Sequence, residues 1–214
     1  MNLVTVRRLS GDNGADSDSW VAVRNLCCRT GNNGDAIAPE RWELFSRIWV
    51  EPYEKIIPQW TYLAESGDVV VGYLTGCPDS PAFYRMKRWQ VTFPLIMAIA
   101  GGQYRRVPGG REFVRHALGL GKSPERRFTP ALRRVLARDY PAHLHVNVAA
   151  GYRQRGIGRL LIQRYFADLR RQRIAGVHLF CGARPLAFYR RIGLRTLDSV
   201  ELPGGPVFVL GARL

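Results

Sequence analysis

Arg153-Gln154-Arg155-Gly156-Ile157-Gly158 is a basic glycine turn between two runs of different character. Before it, His143-Leu144-His145-Val146-Asn147-Val148 reads as an extended strand. After it, Arg159 to Arg173 repeats its apolar residues at helical spacing. The order strand, turn, helix places unpaired backbone N–H groups at the positive end of a helix, where a phosphate or pyrophosphate binds well. Gly156 and Gly158 remove the side chains that would block close approach of a ligand to the backbone.

Three phosphate-binding patterns compete for this turn. A Walker-type loop needs Lys-Ser or Lys-Thr after its last glycine; here Arg159-Leu160 follows. A dinucleotide fingerprint needs a third glycine spaced G-x-G-x-x-G and an acidic residue about 20 positions later; the third glycine is missing. The third pattern is Arg/Gln-x-x-Gly-x-Gly/Ala, which Arg153, Gly156 and Gly158 satisfy. A glycine turn that only joins strand to helix is the plain alternative.

The rest of the chain gives the turn its setting. Val4 to Leu9 alternates as a first strand, and Asp18 or Ser19 is placed to cap a helix over Trp20 to Cys28. Pro39 opens a second helix through Trp49, with Trp42, Phe45, Ile48 and Trp49 at helical spacing. Pro52 and Pro58 bracket a short irregular piece. Trp60 to Glu65 and Val69 to Leu74 form a hairpin about Ser66-Gly67-Asp68. The segment from about 80 to 140 is too long for a plain loop and reads as an inserted helical segment. Its basic helices fall at Tyr84–Trp89, Phe113–Leu120 and Ala131–Arg138. Beyond the turn come a strand at Gly176–Phe180, a short helix at Pro185–Arg191 ended by Gly193, and a closing hairpin around Pro203-Gly204-Gly205.

The 214 residues suit one domain spanning 1–214, and a 46% hydrophobic content is enough for a substantial core. The net charge is +15, nearly all from arginine, since lysine occurs only at 55, 87 and 122. Such a balance favours anionic partners, phosphorylated cofactors or nucleic acid, or reflects a solvated surface. No recognised nucleic-acid motif accompanies it, so nucleic acid is the weaker expectation. The four cysteines form no C-x-x-C pair and no zinc spacing, so no metal site is expected. The N-terminus has no apolar signal core, and Val91 to Ala100, interrupted by Pro94, is too short to span a membrane. A cytoplasmic location is the expectation.

Taken together, the motif and its neighbours resemble the GNAT acyltransferases. The turn matches the family's acetyl-CoA pyrophosphate loop, and Leu186-Ala187-Phe188-Tyr189-Arg190-Arg191-Ile192-Gly193-Leu194 is similar to its Phe-Tyr-x-x-x-Gly-Phe ending. The resemblance covers about 1–78 and 141–214. It implies an α/β fold with a mixed, mainly antiparallel sheet splayed at its central strands, 143–148 and 177–180. Thr30-Gly31, Pro52-Tyr53, Gly72-Tyr73-Leu74 and Pro141 to His145 are further similar to a bacterial subgroup related to the acetyltransferase-like domain of eukaryotic O-GlcNAc hydrolases.

The resemblance implies transfer of an acetyl group from acetyl-CoA to an amine by direct attack in a ternary complex. Backbone of Val146, Asn147 and Val148 would hold the pantetheine arm. Gln154, Arg155, Gly156, Ile157, Gly158 and Arg159 would hold the pyrophosphate, with charge added by Arg153 and Arg155. Arg184 would reach phosphate where the family's Asn is replaced by Gly182. Tyr189 is the candidate acid for the departing thiolate. His145, on one face of its strand with His143 and Asn147, is the candidate base. Tyr53, Trp60 and Tyr73 are candidates to line the acceptor pocket, and Glu51 and Glu54 to meet a cationic acceptor. A non-catalytic acyl-CoA-binding module is the main rival, and a homodimer is compatible with the insertion.

Overall fold

In the computed structural model, which describes residues 3–12, 14, 16–31, 34–107, 128–202 and 204–214, the strands are β1 (Val4–Arg8), β2 (Thr61–Ser66), β3 (Val69–Cys77), β4 (Ala142–Val148), β5 (Gly176–Gly182), β6 (Arg195–Leu202) and β7 (Gly205–Arg213). They form a single sheet in the order β1-β2-β3-β4-β5-β7-β6. Every neighbouring pair is antiparallel except β4 with β5. That parallel pair is joined only at Ala142–Val177 and His143–His178. Beyond those residues β4 stays on β3 as far as Val148, opposite Gly72, and β5 stays on β7 as far as Gly182, opposite Val207. Each strand follows its own antiparallel partner, and the sheet opens into the expected V.

The helices are α1 (Ser17–Thr30), α2 (Trp42–Trp49), α3 (Glu51–Ile56), α4 (Ser80–Lys87), α5 (Phe93–Ala100), α6 (Pro130–Asp139), α7 (Ile157–Arg171) and α8 (Ala183–Arg191). Strand alternation sorts them between the two faces. Tyr62, Ala64, Leu74 and Leu144 meet Ile157, Leu161, Ile162 and Tyr165 of α7. Leu63, Tyr73 and Cys77 meet Trp20, Val23 and Cys27 of α1 and Tyr53 of α3. A smaller cluster of Leu44, Leu95 and Tyr104 joins α5 to α2, and Phe128 with Leu136 of α6 covers Val209 of β7. No helix among the described residues is long and apolar enough to cross a membrane.

Several expected boundaries shift for local reasons. Pro52 does not mark an irregular piece: it sits in the first turn of α3, where a proline's missing N–H costs nothing. Pro94 likewise begins α5 rather than interrupting it. Helix α1 starts earlier than Trp20, and neither Asp18 nor Ser19 caps it, since both lie within it. Asp16 instead accepts from the backbone and hydroxyl of Ser10 and holds the preceding loop. Within the expected insertion, α4 is capped by Asp79 and α6 by Thr129. The expected helix at Phe113–Leu120 lies outside the described residues.

Tyr165 joins the two layers. Its hydroxyl donates toward the carbonyls of His143 (2.8 Å) and Cys77 (3.0 Å) and accepts from the Cys77 N–H (3.1 Å). Those groups lie at the end of the β3–β4 ladder, next to where β4 leaves β5. Tyr165→Phe keeps the ring and strands three buried backbone groups, so it should lower the unfolding free energy by about 1–3 kcal/mol in urea titration. An unchanged midpoint would show that the hydroxyl carries no structural role.

Candidate functional site

The V holds a cleft of about 940 Å³. One wall is the second half of β4, with Val146, Asn147 and Val148; the other is Phe180, Cys181 and Gly182 of β5 with Phe188 and Tyr189 of α8 and Ile192 just after it. The glycine turn closes one end. Gly156 caps α7 with φ at +79°, a left-handed conformation that glycine enters without steric cost. Gln154 before it is also left-handed, at +62°. This double reversal aims the first turn of α7 into the cleft. The first backbone bond of that helix is Leu160 N–H to the Gly156 carbonyl, so the preceding N–H groups remain available to a ligand. No atom lies within 4 Å of where a β-carbon on Gly156 or Gly182 would stand, whereas one on Gly158 would meet Phe188 at 3.1 Å.

The arginines divide their work. Arg153 does not point its guanidinium freely into the cleft: it donates to the carbonyls of Val148 (3.1 Å) and Gly34 (2.7 Å) and ties the turn to β4 and to the loop after α1. Arg155 lies over the Tyr152 ring at 5.1 Å and is exposed, as is Arg159. Arg184 lines the cleft and reaches Asp35 at 3.9 Å.

Tyr189 is buried in the α8 wall with Phe188 beside it, 5.1 Å between ring centres. Burial, reinforced by the Cys181 thiol, pushes its phenol above the ordinary range, so it stays protonated. Cys181 is itself pushed up to about 11 by burial, which leaves it inert as a nucleophile.

Alternation along β4 sends His143, His145 and Asn147 to the α1 side. Asn147 donates its amide to the Tyr73 hydroxyl at 2.7 Å, and both line the cleft. His145 lines it too, edge-on to Trp49 at 5.5 Å. His143 lies deeper. Its Nδ1 is 2.7 Å from the Ser80 hydroxyl and its Nε2 is 2.9 Å from the Tyr53 hydroxyl. Ser80 donates to the Pro141 carbonyl, so Nδ1–H donates to Ser80 and Nε2 accepts from Tyr53. This consumes Tyr53, which is buried behind His145 against Phe83 rather than on the cleft surface. Trp60 packs on the opposite face of the sheet against Tyr165, so it is not an acceptor-pocket residue. It ends the 3-10 turn Pro58–Trp60 that leads into β2, and the face to which that turn delivers the ring is not fixed by the isolated segment. Glu51 and Glu54 are ion-paired with Arg47 and Lys55, and with Arg24.

Phe45, Trp49, Thr30 and Gly31 are among the cleft residues that sequence reasoning missed. The helical spacing of Phe45 and Trp49 was visible, but not which face of α2 would meet β4. His178 stands 6.2 Å from His143, its Nδ1–H donating to the Tyr140 carbonyl at 2.6 Å. The described residues contain no group of three side chains arranged to hold a metal ion.

Burial lowers His143, His145 and His178; His145, also pressed by Lys87 and His178, falls to about 4. A folded-state value below the unfolded one means the unfolded chain binds more protons between about pH 4 and 6.5, so stability is full above that window and is lost as pH falls through it. Urea unfolding at pH 5 should give a free energy about 2 kcal/mol or more below that at pH 7. Histidine NMR signals should show no imidazolium at His145 at pH 6; a midpoint near 6.5 there would contradict this geometry.

No protein-family model matches the chain. Solved structures do. SsHAT is 28% identical, with 98% of each chain covered and a TM-score of 0.74. An acetyltransferase assigned to the GNAT family from Desulfovibrio desulfuricans is 16% identical, with 99% of each chain covered and a TM-score of 0.55. YncA from Salmonella typhimurium, solved with its cofactor acetyl-CoA, is 15% identical, with 100% of this chain and 95% of that one covered and a TM-score of 0.54.

Proposed function

We propose that this chain, which has the fold of the GNAT acetyltransferases, transfers an acetyl group from acetyl-CoA to a primary amine by direct attack in the cleft between β4 and β5. The observation that carries the reading is the aim of the α7 N-terminus. A left-handed glycine cap points unpaired N–H groups into the same cleft that the splayed strands open. The open space at Gly156 and Gly182 fits a bulky diphosphate.

Backbone N–H groups of Gln154 to Arg159 would take the pyrophosphate, with Arg159 and Arg184 supplying charge at the rim and Arg155, over the Tyr152 ring, beside them. Arg153 contributes by fixing the turn through its two carbonyl bonds. The β4 edge around Val146 to Val148, released from β5, presents strand groups to the amides of a pantetheine arm, the Val148 carbonyl being already held by Arg153. Acetyl-CoA supplies an acetyl thioester: a C–N bond to the amine forms as the C–S bond breaks. Tyr189, kept protonated by burial, donates a hydrogen bond where negative charge gathers on sulfur. Its raised value makes full proton release unfavourable, so its contribution is largely charge stabilisation. His145, neutral at physiological pH, accepts the nitrogen's proton directly or through water. No covalent enzyme intermediate is required, and positioning of two substrates in one cleft supplies much of the rate.

Titration calorimetry should show acetyl-CoA binding at micromolar concentration, and Gly158→Val should weaken it about tenfold or more by driving Phe188 into the cleft. No binding at millimolar acetyl-CoA would end this reading. Tyr189→Phe should lower kcat about 100-fold with acetyl-CoA affinity nearly unchanged; full activity in that variant would remove Tyr189 from the mechanism.

A further inference from the structure

One wall of the cleft is lined by rings. Phe45 and Trp49 stand one helical turn apart on α2, with centroids 6.1 Å apart. Trp49 meets His145 edge-on, and Tyr73 lies alongside on β3. Trp49 keeps 44% of its surface exposed. A large indole left this open beside a reaction cleft is surface waiting for apolar cover. Gly31 adds to the case. A β-carbon there would meet the Phe45 ring at 2.6 Å, so the backbone at the end of α1 gives way to seat this ring.

The charges around the wall point the same way. The carboxylates of α2 and α3 are committed: Glu43 to the Tyr104 hydroxyl, Glu51 to Arg47 and Lys55, Glu54 to Arg24. Lys87 places positive potential on His143 and His145. The described residues lining the cleft include no carboxylate. A polycation would therefore enter against positive charge with no anion to receive it. A ring face gains about 0.5–2 kcal/mol from an ammonium. That gain stabilises the unreactive state, because the attacking nitrogen must be uncharged.

We propose that the acceptor is an aromatic monoamine, its ring seated on Phe45 and Trp49 and its nitrogen directed to the cleft floor by His145 and Tyr73. This rests on acetyl transfer in the same cleft. The nitrogen lone pair forms the new amide bond and the C–S electron pair leaves with sulfur. One N–H proton passes to His145 or its water, and sulfur takes a proton from solvent beside Tyr189. An amine attached directly to a ring is already uncharged at pH 7, which suits a base as weak as His145.

The test uses the full chain, acetyl-CoA, and five probes: para-anisidine, phenethylamine, spermidine, kanamycin and a lysine-rich peptide. Release of free thiol and the mass of the product are followed. The better of the two aromatic amines should exceed each polycation about 100-fold in kcat/KM, and the ratio between the two sets the spacer from ring to nitrogen. Trp49→Ala should raise its KM about tenfold and leave acetyl-CoA affinity within about twofold, with Trp49→Phe recovering part of the loss. Preference for a polycation, or bound acetyl-CoA with no transfer to either aromatic amine, overturns the proposal. Failure of acetyl-CoA to bind at all overturns the underlying transfer reading instead, and this one with it.

Discussion

The parallel contact between β4 and β5 ends at His143 and His178, and the rest of the molecule is arranged around that short pairing. Two residues of contact are enough to keep a single sheet, because each strand is held along its length by an antiparallel neighbour. The freed edges are then neither flush with each other nor open to bulk water. They face a cleft closed at one end by the glycine turn and on one side by α8. Tyr165 fixes the branch point by bonding the last β3–β4 residues through a single hydroxyl. Unpaired strand backbone is costly when buried without partners, and here it lies part-exposed along the cleft.

Strand β4 also separates two kinds of chemistry by parity alone. Leu144, Val146 and Val148 turn toward α7 and join the aliphatic core. His143, His145 and Asn147 turn toward α1 and α3, where hydroxyls and rings receive them. Burying imidazoles is tolerable there because each stays neutral. In the Tyr53–His143–Ser80–Pro141 chain one ring nitrogen of His143 donates and the other accepts, the arrangement of a neutral imidazole. The cleft face of the strand is consequently polar and uncharged, the state in which an amine nitrogen can approach a carbonyl without being held as an ammonium.

What could be read from the sequence follows the range of the forces involved. The turn at Gly156, the hairpin about Gly67 and the strand–helix order around them are local, set by glycine conformations and side-chain period. They were legible, and with them the fold. Trp60 and Tyr53 were misassigned because their position depends on which face of a strand or helix meets which layer. The two Pro-led helices, α3 and α5, were obscured because proline in a first turn looks the same in sequence as proline that breaks a helix. Arg153 looked like a phosphate ligand because charge is visible in sequence; the carbonyls of Val148 and Gly34 that claim it are 5 and 119 residues away.

The same distinction explains why one substrate half of the cleft is easier to read than the other. The turn is built from consecutive residues, with its backbone N–H groups and glycine conformations set by a short motif. The ring-lined wall is built from side chains of four separate elements, α1, α2, β3 and β4, brought together only by the fold. Its arginine-rich surroundings mislead if counted by net charge. Arg8, Arg164 and Arg171 surround the buried Asp168 on the far side of the sheet, and Arg24 and Arg47 pair with carboxylates of α3. Those pairs cancel in the net charge of +15, which is the excess of 32 cations over 17 carboxylates across the whole chain and does not describe this wall. The acceptor is better sought from the uncharged rings of the wall than from the sign of the surface.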